Sequence, residues 1–276
     1  GTLTPEKLSI YRKYGINRIS IGLQSPNNKE LAILGRIHNY AQFLESFQMA
    51  REAGFSNINV DLMFAIPGQC YEGWIENLRM VAALGPEHIS AYSLIIEEGT
   101  PFSRKKLDLP DEDTEYRMYE DVAVVLKEYG YHQYEISNYA KAGRECRHNE
   151  GYWQRKDYLG LGLGAASLLG KERFSNTSDM QEYLKNSSAP EKIRKNRELL
   201  TREDEMAEFM FLGLRMTQGV SKKEFQEYFG TAIENIYGEV LKKYKKQGLL
   251  LEESGRIFLS REGVHVSNAV MADFLL

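Results

Sequence analysis

The sequence predicts an α/β fold: part of a parallel β/α barrel, followed by a helical, winged-helix-like module. Three observations carry that expectation. Short β-rich runs alternate with helical patterns through the first half, which is the signature of a parallel sheet or barrel. The unit recurs about every 35 to 40 residues and fades after three or four repeats, whereas a full (β/α)8 barrel takes about 250 residues. From about residue 199 the pattern becomes helical and ends in a hairpin signal. With 276 residues, 42% hydrophobic content and net charge −4, the composition is that of an ordinary globular chain. Disorder, collagen and a disulfide scaffold are excluded.

In chain order, Thr4 and Pro5 form an N-cap and first helical position for a helix over 5–14, closed by Gly15. Residues 17–23 form a strand. A helix over 43–53, closed by Gly54, leads to a strand over 57–65, and a helix over 71–84 stops at Gly85-Pro86 before a strand over 88–95. After the acidic loop that starts at Leu109 come a helix over 114–129, a strand over 131–137 and a Gly-rich turn region over 160–170. The polar, Ser-rich stretch 176–190 reads as a linker. Helices follow over 202–216, 221–229 and 232–247, then a hairpin over 249–259 and a terminal helix. The expected domains are therefore 1–175, the partial barrel, and 176–276, the linker and helical module.

Cys70 and Cys146 are the two cysteines, far apart and in no C-x-x-C pair. They predict a reducing compartment, and they cannot build a cysteine-rich zinc site or a four-cysteine iron–sulfur site. Apolar runs such as 62–67 are far shorter than the roughly 20 residues of a membrane helix. A cytoplasmic protein is expected, with any membrane partner peripheral. The small acidic excess argues against nucleic acid as a partner, and for the winged-helix-like module it favours packing or docking.

Several residues are candidates for chemistry. In 18–24, Ile19, Ile21 and Leu23 share one face, while Ser20, Gly22 and Gln24 share the other. In a barrel the second face looks inward, and Gln24 falls at the C-terminal strand end where barrel sites lie; it is otherwise an ordinary loop residue. Asp61 stands inside the next strand, facing the same way as Met63 and Ala65. It needs a partner there: a ribose diol, an ammonium group or a structural salt bridge. Arg36, in the run Leu34-Gly-Arg-Ile-His38, is either a carboxylate clamp or a solvated loop arginine.

The densest constellation is 146–153, which holds Cys146, Arg147, His148, Asn149, Tyr152 and Trp153. Cys146 and His148 are ligand types that haem iron accepts, and Arg144 and Arg147 would suit propionates. If the segment is helical, His148 and Tyr152 are neighbours on one face. The alternative is an anchor that packs Tyr152 and Trp153 on the barrel, with Asn149 as a helix cap. The run 159–167, Leu-Gly-Leu-Gly-Leu-Gly-Ala-Ala-Ser, lacks the dinucleotide-binding spacing and leaves close packing and cofactor contact both open.

Taken in order, 18–25, 34–38 and 60–69 resemble the oxygen-independent coproporphyrinogen III oxidase family of radical S-adenosylmethionine (SAM) proteins. The His148-Asn-Glu-Gly-Tyr-Trp153 element is similar to the H-N-x-x-Y-W signature of its HemW branch, the haem chaperones. The resemblance implies a partial (β/α)6 barrel with SAM across the strand C-termini. It implies SAM contacts at Gln24, Arg36, Asp61 and the backbone of Ile95, and a haem site at His148 with Cys146. Its C-x3-C-x2-C loop for a [4Fe-4S] cluster has no counterpart in this sequence. The chain alone is therefore expected to be catalytically inactive and a fragment of a longer protein. The leading expectation is a haem chaperone that binds haem or porphyrin and passes it to an acceptor protein. The alternatives are a coproporphyrinogen III oxidase, which decarboxylates propionates by radical chemistry, and a bare interaction scaffold.

Overall fold

Helix α1 (Pro5–Lys13) starts where its cap is expected: the Lys7 backbone N–H donates to the Thr4 hydroxyl at 3.3 Å, with Pro5 in the first turn. It opens the first of two units, 1–145 and 146–276, in the computed structural model, which describes residues 2–275. The first unit continues with β1 (Ile19–Gln24), α2 (Asn28–Ile33), α3 (Tyr40–Glu52), β2 (Ile58–Phe64), α4 (Tyr71–Ala83) and β3 (His88–Ser93). Helix α5 (Glu112–Glu128) and the short strands β4 (His132–Glu135) and β5 (Asn138–Ala140) complete it.

The sheet order is β1-β2-β3-β5-β4, with β1, β2 and β3 parallel. Helices α3 and α4 make the two crossovers. They bury Phe43, Phe47 and Ala50, and Trp74, Leu78 and Val81, in one core with Ile58, Val60, Leu62 and Ile89 of the sheet's outer face. Each such large side chain contributes roughly 1.5–3 kcal/mol on burial. The Trp74 indole N–H donates to the Met118 carbonyl at 3.0 Å and ties α4 to α5.

After β3 the alternation ends, and the stretch 131–137, expected as one strand, holds β4 and the turn that leads into β5. Strand β5 runs antiparallel to both β3 and β4. Glu135 makes the turn by accepting from the Ser137 N–H at 3.0 Å and from the Asn138 side chain. No Asn-Gly or Asp-Gly pair announces it in the sequence.

The second unit begins with α6 (Arg147–Trp153), β6 (Ala166–Leu169), β7 (Glu172–Asn176), α7 (Met180–Asn186), α8 (Pro190–Ile193) and β8 (Arg194–Leu199). Strands β6, β7 and β8 form an antiparallel sheet with β7 in the middle. The boundary expected at 175/176 falls inside β7, which pairs on both sides, so the contact pattern divides the chain earlier, at 145/146. The stretch read as a linker carries α7, started by the Asp179 cap on the Glu182 N–H at 2.7 Å.

The helical module follows: α9 (Arg202–Gly213), β9 (Val220–Ser221), α10 (Lys222–Phe229), α11 (Ile233–Lys246), β10 (Leu250–Glu253), β11 (Arg256–Leu259), α12 (Arg261–His265) and α13 (Ser267–Ala272). Its sheet order β10-β11-β9 with three preceding helices is the winged arrangement expected. Phe225, Phe229, Ile233, Tyr237 and Phe274 form its buried centre.

Candidate functional site

The helices cover one face of the parallel sheet, and the other face is polar. Period-two alternation puts Ser20 and Gly22 of β1, Asn59 and Asp61 of β2, and His88, Ser90 and Tyr92 of β3 on that face. The residues form one connected floor. Asn59 donates from Nδ2 to Asp61 Oδ1 at 2.7 Å and to Ser20 Oγ at 2.8 Å, and Ser20 donates to Asp61 Oδ2 at 3.3 Å. Asn59 Oδ1 lies 2.6 Å from His88 Nδ1, and His88 Nε2 lies 2.8 Å from the Tyr134 hydroxyl. His88 is fully buried, and desolvation, aided by the nearby positive charge of Arg18, pushes its pKa down to about 3. Ser20 and Gly22 are exposed and Asp61 is half-buried, so the floor is open to solvent.

At the strand C-termini the backbone is strained. Gln24, the last residue of β1, and Ala65, the residue after β2, have φ of 72° and 55°. The β1–β2 register shifts between Gly22 and Gln24, and the Gln24 side chain folds back over Gly22. A Cβ on Gly22 would stand 2.8 Å from Gln24 Nε2 and 3.9 Å from Asp61 Oδ2. The Tyr92 hydroxyl donates to Gln24 Oε1 at 3.2 Å. Burial and then the Asp61 charge raise the Tyr92 pKa, while the Gln24 hydrogen bond and the Arg36 charge lower it. Gln24, Asp61 and Arg36 therefore converge around one phenol.

Asp61 is in no salt bridge among the described residues; its ordered partners are Ser20 and Asn59. Both oxygens keep acceptor capacity toward the open side. Arg36 is exposed, in the loop between α2 and α3, which is pinned to β1 by His38 Nε2 at 3.1 Å from the Leu23 carbonyl. Ile95 follows β3 in an exposed segment, 75% exposed itself.

Behind the loops lies a buried network that the sequence reading missed. Glu30 Oε2 accepts from Ser25 Oγ at 2.5 Å, Gln69 Nε2 at 3.0 Å and Asn77 Nδ2 at 3.0 Å, tying the turns after β1 and β2 to α2 and α4. Tyr92, Asn59 and His88 were missed as well. Their signal was present: His88, Ser90 and Tyr92 alternate with Ile89 and Ala91, the same pattern read at 18–24.

In the second unit, 147–153 is helical as α6, and Cys146, not Asn149, is its N-cap residue. The His148 ring meets Tyr152 edge-on with centroids 4.6 Å apart, and Tyr152 meets Tyr158 edge-on at 4.7 Å. His148 is exposed, and no hydrogen bond or ion pair engages its ring among the described residues. Cys146 is buried, so these two candidates are close in sequence but differ in access. Trp153 lies under the Arg215 guanidinium at 4.4 Å, a contact within the second unit.

Residues 1–81 match the Radical SAM superfamily, and residues 200–266 match the HemN C-terminal domain. The haem chaperone HemW of Bacillus subtilis is 38% identical over 277 residues, covering 99% of this chain and 73% of the relative. The haem chaperone HemW of Lactococcus lactis is 36% identical, covering 100% and 73%. The chain belongs to the HemW family. The solved coproporphyrinogen III oxidase HemN of Escherichia coli superposes with a TM-score of 0.83 at 20% identity, covering 99% of this chain and 67% of that one. At that identity the likeness concerns the fold. Among the described residues no helix is long and apolar enough to cross a membrane.

Proposed function

We propose that this chain holds haem for transfer to an acceptor protein, with His148 as the iron ligand, and holds SAM on its polar sheet face. The observation that carries the haem reading is the exposed, unengaged imidazole of His148, braced by Tyr152 within the H-N-x-x-Y-W element. Relatives named as haem chaperones at 36–38% identity over nearly the whole chain support it. An imidazole is a common axial ligand of haem iron. Cys146 would join it only after the start of α6 opens, because its thiol is buried. Arg144 and Arg147 are exposed nearby in sequence for propionates.

The SAM reading rests on Asp61, Gln24 and Arg36 around Tyr92 at the strand C-termini. Asp61 would accept from a ribose diol or an ammonium group, and Arg36 would hold a carboxylate. The Ile95 backbone would border the site. These residues fit SAM; the chain does not fit the cluster. A radical SAM [4Fe-4S] cluster takes three thiolates, and Cys70 and Cys146 are two, one in each unit, with no metal-ligating group of three among the described residues. No radical chemistry is assigned to this chain's residues.

The test is a haem titration of the 276-residue chain. A shifted Soret band is expected for the wild type and its loss for His148→Ala; an identical band in the variant would overturn His148 as ligand. In a parallel calorimetric titration, Asp61→Ala is expected to weaken SAM binding about tenfold, and unchanged affinity would remove Asp61 from the site.

A further inference from the structure

Tyr158 is both the last ring of the His148–Tyr152–Tyr158 ladder and the residue that opens the Leu-Gly-Leu-Gly-Leu loop. Three leucines of that loop face water: Leu159 is 57% exposed, Leu161 84% and Leu163 41%. A loose loop would turn such side chains inward, yet this loop is tied at several points. Asn176 Nδ2 donates to the Gly160 and Gly162 carbonyls at 3.2 and 2.8 Å. The Gly160 N–H donates to Ser167 Oγ at 2.9 Å, and the Gly164 N–H to the Thr177 carbonyl at 3.0 Å. Tyr158 itself is fixed by a two-way backbone bridge to Leu168. The Gly160, Gly162 and Gly164 backbone holds the loop through these bonds, and its apolar side chains are left outside. Exposed leucines presented on an ordered backbone mark a binding surface.

Resting on the haem reading above, we propose that the Leu159–Leu161–Leu163 loop is the platform for the tetrapyrrole plane, next to the iron ligand His148. The occupant is argued from continuity. The apolar loop begins at the ring ladder, and the ladder ends on an imidazole whose nitrogens no hydrogen bond engages among the described residues. A flat apolar macrocycle carrying a metal at its centre and carboxylates at its edge matches that sequence of leucines, aromatic edges, imidazole and the exposed Arg147. The platform recognises the macrocycle, and His148 recognises the iron.

Two probes separate these roles: haem, and metal-free protoporphyrin, which has no iron for His148 to bind. Porphyrin uptake by the 276-residue chain is followed by tryptophan quenching in the wild type, His148→Ala, the Leu161→Ser/Leu163→Ser double variant and Leu184→Ser. Leu184 is an exposed leucine of α7 and serves as a control. The double variant is expected to bind metal-free protoporphyrin about tenfold or more weakly, with His148→Ala and Leu184→Ser near wild type. Both altered leucines are exposed, so circular dichroism is expected to be unchanged. Wild-type affinity in the double variant, or no porphyrin uptake by the wild type, would overturn the platform. Loss of self-association in the double variant at unchanged porphyrin affinity would overturn it too, and assign the leucines to a contact between copies. If instead the leucines govern porphyrin affinity while the Soret band is indifferent to His148→Ala, the platform stands and the iron-ligand reading falls.

Discussion

His88 is neutral in the folded chain down to about pH 3, because burial between Asn59 and Tyr134 disfavours its charged form. In the unfolded chain it takes a proton below about pH 6.5. Between those values the unfolded state binds more protons, so stability falls as pH falls, by up to about 1.4 kcal/mol per pH unit for this one group. Urea unfolding from pH 7.5 to 4.5 is expected to show a shallower pH slope for His88→Gln than for the wild type; equal slopes would mean that His88 titrates normally. This residue also shows what single letters conceal. Gln24 and Asp61 were legible as polar residues at positions where a barrel exposes its inner face, and Arg36 as a loop arginine between those strands. His88 shares the polar face of its strand by the same alternation, but the pattern does not show that the histidine is buried and neutral. That burial depends on Asn59 in the neighbouring strand and on Tyr134. The Glu30 network was hidden for the same reason: Ser25, Gln69 and Asn77 converge on it from well-separated parts of the chain.

Local signals were strongest where capping and periodicity agreed. Helix α1 with its Thr4–Pro5 start, α3 with the Asn39–Gln42 capping box, and α9 with the Thr201–Asp204 box all lie close to their expected positions. The elements missed were short or depended on partners: the β4–β5 turn made by Glu135, α7 within a polar stretch, and β8, whose charged sequence Arg-Lys-Asn-Arg-Glu-Leu pairs with β7. The Gly-rich loop was legible as a turn region but not as a rigid one. Its rigidity is testable at Gly160, where a Cβ would collide with the Ala166 carbonyl oxygen and crowd Ala165. Backbone cannot yield as a flexible side chain does, so Gly160→Ala is expected to cost roughly 1–3 kcal/mol. Thermal unfolding would show it as a lowered Tm, whereas Gly151→Ala, on open space in α6, would leave Tm near wild type.

At the scale of the whole molecule, each unit carries its own core. The cluster around Phe43, Trp74 and Met118 draws only on the first unit. Phe174, Met210, Phe225 and Tyr237 are buried in the second. Residues 146–276 expressed alone are therefore expected to unfold cooperatively and to keep His148-dependent haem binding; a featureless melt or loss of haem binding would show that the second unit depends on the first. The parallel half-sheet of the first unit has a further property. Strand β1 ends the sheet on one side, and among the described residues no strand pairs with its outer edge. Apart from the Leu23 carbonyl, which His38 engages, that edge is a template for pairing with another strand. An extended segment laid along it in parallel would lengthen the polar floor beside Ser20 and Gly22. A second copy of β1 would compete for the same row of groups. The exposed polar floor and the unpaired strand edge therefore meet along one side of the same sheet.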